Sequence, residues 1–324
     1  MLQGVKSRLY PNTEQKKLLE QSFGNYCWLW NSCLNLMNET YKNTGKGLSG
    51  YEAKKLIPGL KKEHEWLKLT YSQCLQQVYL NLAVAFNNLF EKGAKDPRFK
   101  LKYNKQSIQY TQNITIIEQG LKLPKIGEFK AIIYRPIKGK IKTVTISKNS
   151  YNQYFASVLF EDGQEKLESS TDSQAIGIDV GLTHFAITSN SSKYDNPKFL
   201  NPYKQNLKRK QKQLSRKQKG SNNHNKARKK VAMIHRKITN CREDFLHELS
   251  RRIVDENQVI VTENLNIEGM IQNHCLAEVT GQVGWGIFTT MLKYKAENEG
   301  KVYQEVDRFF PSSNICHVCL TSSL

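Results

Sequence analysis

The sequence of 324 residues predicts a multidomain α+β protein. Three observations predict it. Two long stretches before residue 95 repeat apolar residues every three or four positions. From about 95 to 170 the period falls to two, with turn residues between short runs. From about 172, apolar strands alternate with helical segments, and two of those strands end on an acid.

The first helix is predicted over residues 12–40. Pro11 precedes an Asn12 N-cap, and Gln15 stands where a capping box needs it. Leu19, Phe23, Cys27, Trp30, Leu34 and Met37 form one apolar stripe, which reads as core. A second helix is predicted over 71–92, with Thr70 and Gln73 as its cap. Leu75, Val78, Leu82, Phe86 and Leu89 line its buried face, and Gly93 stops it. The polar stretch 41–68, with Gly45, Gly47, Gly50 and Pro58, reads as loop and short helix.

Alternation then marks strands at Ile114–Ile116, Val144–Ile146 and Phe155–Phe160, where Ala156, Val158 and Phe160 share a face. Pro124, Gly127, Pro136, Gly139 and the run from Lys148 to Ser150 punctuate them. Short strands at this spacing predict a small barrel or sandwich. Its basic residues Arg98, Lys100, Lys102 and Lys105 suit a phosphate backbone, or equally a solvated strand edge. The acidic stretch from Glu161 to Asp172 marks a domain boundary at 165–174. After it, residues 173–188 read as a β-hairpin bent at Gly181.

Charge speaks to partners. There are 49 Lys plus Arg against 29 Asp plus Glu, a formal charge of +20, which favours a polyanion such as nucleic acid. Hydrophobic residues at 39% exclude a wholly disordered chain. No run approaches the roughly 18 apolar residues of a membrane helix, and the start has no apolar leader segment. Seven scattered cysteines fit reduced thiols, so the expectation is a cytoplasmic protein away from membranes.

Fourteen of the cations fall in 204–237, a stretch with no acid. They include Lys208, Arg209, Lys210, Lys212, Arg216, Lys217, Lys219, Lys226, Arg228, Lys229, Lys230, Arg236 and Lys237. Gly220-Ser-Asn-Asn223 breaks the run into a helical hairpin. Leu207 and Leu214 sit at helical spacing to pack against Val231 and Ile234. So many like charges within a Debye length of about 8 Å repel unless an anion lies among them, and a nucleic-acid backbone resolves that repulsion.

Asp179 ends the apolar strand Ala175–Asp179, and Glu263 ends Gln258–Glu263. An acid that terminates an apolar strand is costly without a partner. Two of them on adjacent strands would supply oxygen ligands for Mg²⁺ and metal-dependent phosphodiester chemistry. Asp307 is the remaining strand-end acid and is not expected to be the third ligand.

These residues together resemble the TnpB (OrfB) proteins of bacterial insertion sequences, relatives of compact type V CRISPR nucleases. The matching stretches are Leu9–Gln15, Leu123–Gly127, Gly177–Gly181, Ser215–Ser221, Asp255–Asn266, Trp285–Phe288, Tyr294-Lys295 and Phe309–Ser313 leading to Cys316 and Cys319. The resemblance implies a wedge-type β-barrel from 1–11 and 95–171, with a helical recognition lobe, 12–94, inserted in it. An RNase H-like RuvC domain follows over 172–324, carrying the basic hairpin at 204–237 and the start of a zinc ribbon at 314–324. It implies an RNA-guided DNA endonuclease acting in the nucleoid of a bacterial cytoplasm. A guide RNA pairs with double-stranded target DNA while the protein grips backbones. Asp179 and Glu263 match the first two catalytic carboxylates. In the family a second Cys pair completes a four-thiolate Zn²⁺ site and a third catalytic Asp follows; Cys316 and Cys319 form the first pair alone here, half a zinc site. The expectation is a C-terminally truncated RuvC domain that cuts weakly or not at all but binds nucleic acid, with a nuclease-dead RNA-guided repressor as the alternative.

Overall fold

A computed structural model describes residues 1–101, 106–163, 174–264 and 283–306. The chain divides into two compact units, Met1–Gln164 and Glu165–Leu324.

The first unit opens with β1 (Leu2–Tyr10) and α1 (Thr13–Thr44), followed by α2 (Gly50–Lys55), α3 (Ile57–Glu63) and α4 (Ser72–Lys92). The capping box is present. Asn12 Oδ1 accepts from the Gln15 amide at 2.8 Å, and Gln15 Oε1 accepts from the Asn12 amide at 3.0 Å. Left-handed Gly45 closes α1. Leu19, Phe23, Trp30, Leu34 and Met37 are buried as the stripe requires, while Cys27 is half-buried. The expected cap of α4 is different. Tyr71 precedes the helix without a side-chain cap, and the Thr70 hydroxyl instead accepts from buried Asn25 Nδ2 at 2.9 Å. A buried amide without a partner costs more than an uncapped helix end, so the hydroxyl goes to the amide.

Six strands follow: β2 (Gln106–Tyr110), β3 (Thr115–Ile117), β4 (Gly120–Leu123), β5 (Gly127–Ile132), β6 (Lys140–Lys148) and β7 (Tyr154–Glu161). With β1 they make one antiparallel sheet in the order β2-β6-β7-β1-β5-β4-β3. Leu19, Phe23, Leu75 and Val78 of the helices share one buried cluster with Phe129, Val144, Ile146 and Val158 of the sheet. The expected closed barrel is corrected: this sheet is open, and among the described residues no ladder joins β2 to β3. Pairing of β1 with β7 runs from Leu2 to Leu9, but pairing with β5 covers only Arg8 to Tyr10. A barrel needs a continuous ladder around its circumference. Alternation in the sequence specifies which face of a strand is buried and says nothing about closure.

The second unit contains β8 (Ala175–Val180), β9 (His184–Thr188), β10 (Lys193–Asp195), α5 (Lys204–Ser215), α6 (Asn222–Glu256), β11 (Val259–Glu263), α7 (Trp285–Asn298) and β12 (Val302–Val306). The sheet order is β10-β9-β8-β11-β12. The first three strands form an antiparallel meander, and β11 runs parallel to both β8 and β12. Parallel neighbours require a crossover, supplied here by α5 with α6 and by α7. Ile176, Ile178 and Ile260 join Leu246, Leu249 and Ile253 of α6 and Phe288 and Leu292 of α7 in one buried cluster. Lys295 pins α7 to α6. Its buried ammonium donates to the His247 carbonyl and to Ser250 Oγ, both at 2.8 Å. Gly284, at φ 82, precedes α7, and a side chain there would meet Arg242 Cδ at 3.2 Å and Leu246 Cδ1 at 3.3 Å. Among the described residues no helix is long and apolar enough to cross a membrane.

Candidate functional site

The site begins with strand alternation. Ile176, Ile178, Ile260 and Thr262 are buried, each at 4% exposure or less. Successive side chains point to opposite faces, so Gly177, Asp179, Val261 and Glu263 share the other face. Register does the rest. Val261 pairs with Gly177 and Thr262 with Ile178 in the parallel ladder. The next step along both strands sets Glu263 beside Asp179, on chains about 4.8 Å apart. Asp179 is exposed and Glu263 half-buried. On the far side of β11, Glu263 is level with Val306, the residue before Asp307. Two carboxylates side by side at strand ends are hard oxygen donors with the chemistry and the access a divalent cation requires. Among the described residues no group of three or more metal-binding side chains is assembled. Asp307, Cys316 and Cys319 lie outside the described residues, so the half zinc site does too.

The hairpin expected at 204–237 is present as α5 and the first half of α6, and the second helix runs on to Glu256. Ser221 starts it by accepting from the His224 amide at 3.1 Å. Leu207 and Ile234 are buried at 8% and 5% exposure, and Leu214 and Val231 are half-buried, as packing of the two halves demands. Lys208, Arg209, Lys212, Arg216, Lys217, Lys219, Lys226, Lys229, Lys230 and Lys237 are exposed; Lys210, Arg228 and Arg236 are half-buried. At 35 residues, α6 is about 52 Å long. Its C-terminal half is anchored in the sheet's core through Leu246, Leu249 and Ile253, so the cationic half stands on a rigid support.

The strand-region cations are placed differently. Trp30 Nε1 donates to the Arg98 carbonyl at 3.1 Å, and the Asn31 side chain holds the Lys100 backbone from both sides, at 2.7 and 3.0 Å. The Lys100 ammonium lies 4.0 Å from the Trp30 ring and 4.5 Å from that of Tyr26. Burial pushes its pKa down. Lys100 is thus engaged by two aromatic rings of α1, whereas Arg98 is exposed and Lys102 lies outside the described residues. Sequence reasoning did not single out Lys295 as a buried ammonium; its helical spacing to apolar Met291 and Leu292 was the available signal.

An α/β sheet with two strand-end acids, joined to a cationic helical arm, has the chemistry that suits phosphate polymers. Comparison with known proteins narrows it. Residues 157–274 match the OrfB family model described as a probable transposase. Residues 1–46 match the same family's helix-turn-helix model, although here they fold as β1 and the single helix α1. Residues 285–323 match the TNB domain of Cas12f1-like proteins. A Streptomyces pristinaespiralis protein named as a candidate RNA-guided DNA endonuclease is 35% identical over 99% of this chain and 82% of its own length. The Escherichia coli K12 protein InsQ, named likewise, is 30% identical over 83% of this chain and 67% of its own. A cryo-EM structure of a Cas12f1–sgRNA–target DNA complex shares the fold, with a TM-score of 0.58 at 10% identity over 100% of this chain and 92% of that one. The chain belongs to the TnpB (OrfB) family of insertion-sequence proteins.

Proposed function

We propose that this protein is an RNA-guided DNA-binding protein of the RuvC type, with Asp179 and Glu263 as the carboxylates of a Mg²⁺-dependent endonuclease centre. The observation that carries the reading is the parallel register of β8 and β11, whose last pair, Ile178 with Thr262, lies one residue before each acid. Asp179 and Glu263 would hold Mg²⁺ there, and the ion would supply an activated water and charge stabilisation at the leaving oxygen of a phosphodiester. The two carboxylates come from neighbouring strands of one sheet, so the backbone rather than a loop would set where they stand. The cations of α5 and α6 hold nucleic-acid backbone without reading sequence, leaving sequence to a guide RNA paired with double-stranded target DNA.

The test uses purified protein, a guide RNA from the element end, a matching DNA duplex and Mg²⁺. Guide-dependent gel shift is expected. Any cleavage is expected to fall at least about a hundredfold in Asp179→Asn, some 2.7 kcal/mol of barrier, with binding unchanged. Cleavage that survives both Asp179→Asn and Glu263→Gln would remove these residues from the site. Binding with no cleavage at any Mg²⁺ concentration would favour an RNA-guided repressor. Binding indifferent to RNA identity would favour a general RNA-binding protein.

A further inference from the structure

The packing of α5 against α6 leaves a cavity of about 300 Å³ lined by Tyr203, Asn206, Lys210, Lys230, Met233, Ile234 and Lys237. Its lining follows from helical spacing. Tyr203, Asn206 and Lys210 recur at intervals of three and four at the start of α5, and Lys230, Met233, Ile234 and Lys237 do so on α6. Two ordinary core stripes would have met and closed. Here Leu207 and Ile234 are buried, but the lysines in the lining break the apolar stripe beside them.

The chemistry of the lining is mixed. Met233 is 37% exposed, which is unusual for an apolar side chain beside three lysines. With the Tyr203 ring and Ile234 it makes an apolar floor. Lys210, Lys230 and Lys237 stand round it, and no acid lines it. The nearest polar support is neutral: the Lys210 ammonium donates to Gln213 Oε1 at 3.4 Å. Asn206 brings an amide that can both donate and accept. The volume is about ten times that of one water in the liquid, far more than one phosphate group needs. An apolar floor suits the flat face of a base, an amide suits its edge, and three ammonium groups suit a phosphate.

We propose that this cavity takes one unstacked nucleotide of a single strand, its base against Tyr203 and Met233 and its phosphate among Lys210, Lys230 and Lys237. The proposal rests on the reading of the hairpin as a nucleic-acid grip and makes part of that grip specific for unpaired chain. A duplex presents phosphates to the lysines but keeps its bases stacked and out of the cavity. RNA and DNA share this chemistry.

The experiment measures binding of the full chain to fluorescein-labelled ten-nucleotide strands, as RNA and as DNA, each single and annealed, over a range of salt. Two variants test the floor. Met233→Gln replaces an exposed side chain with a good helix former, and Tyr203→Ser falls at the half-buried residue before α5, outside the helix interior, so neither should unfold the hairpin. Each is expected to weaken single-strand binding by about tenfold, the scale of losing one base stack, and to leave duplex binding unchanged. The double change Lys230→Gln, Lys237→Gln should weaken both and lower the salt slope by about 1.5. A second readout is alkylation of Cys241, an exposed thiol beside Tyr203, followed on its own tryptic peptide. Single strands should slow it and duplexes should not. Single-strand binding unaffected by both floor variants, with lysine variants still weakening it, would overturn the cavity and leave the hairpin reading standing. Lysine variants without effect would overturn both. A floor effect confined to RNA or to DNA would assign the strand.

Discussion

The two sheets of this molecule are built by different means. The seven-stranded sheet is antiparallel throughout, and three of its six neighbouring pairs, β3-β4, β4-β5 and β6-β7, are joined by short local turns. The five-stranded sheet starts the same way, then adds β11 and β12 in parallel, each after a helical crossover. Local turns can bring together only residues that are already close in the chain. The crossover of α5 and α6 brings Glu263 level with Asp179, and it extends into a cationic arm on the way. The difference teaches that the proposed site lies where pairing is parallel and needs a crossover. On that reading the antiparallel sheet is a scaffold, and the register of the parallel pair sets the proposed site.

The comparison can be broken most severely at the core that holds the parallel register. Phe288 is fully buried and packs edge-on against Phe185 at 5.0 Å. Phe288→Ala should cost about 3–5 kcal/mol of the second unit's stability. Calorimetry should show that transition lowered and the first unit's unchanged; a single transition shifting as a whole would mean that the two units unfold together. On the other sheet the sensitive point is a turn. Gly139 has φ 118, and a Cβ there would lie 2.0 Å from the Glu161 carbonyl oxygen. Gly139→Ala should therefore cost roughly 3 kcal/mol, read as a lower denaturant midpoint for the first unit, with the Asp179 and Glu263 site unaffected.

A smaller effect is expected at Lys295. Lys295→Met keeps the length of the side chain but removes the ammonium that Ser250 Oγ and the His247 carbonyl both accept from, which should cost about 1–3 kcal/mol. Amide exchange should rise in α6 around residues 247–250 and not in α1. The smallest is the helix cap. Asn12→Ala removes half of the capping box and should lower first-unit stability by about 1 kcal/mol, measurable by urea titration.

Much of this was legible in the sequence because it is local. The Asn12–Gln15 box, the α1 stripe, Gly93 as the stop of α4, the hairpin about Gly181 and the break at Gly220 all depend on residues within a few positions of one another. The misreadings have one source. Thr70 looked like a cap because nothing in its neighbourhood shows that Asn25 needs its hydroxyl. The packing of the Lys100 ammonium over Tyr26 and Trp30 stayed hidden for the same reason, since those rings come from another element. Alternation around 106–161 identified strands and suggested closure, yet which edges meet is a property of the whole sheet.

By itself, then, the sequence determined periodicity, caps, turns and charge: two amphipathic helices, the short strands, an acid at the end of each of two apolar runs, and a cation-rich hairpin without acids. Those follow from backbone propensity and from the free energy of burying or hydrating each side chain. Only the tertiary structure decided that β8 and β11 pair in parallel with Thr262 opposite Ile178, that the first sheet stays open, and that α5 and α6 part around a cavity. The physical reason is that strand register and helix contact are chosen by competition among all the apolar faces of the folded chain.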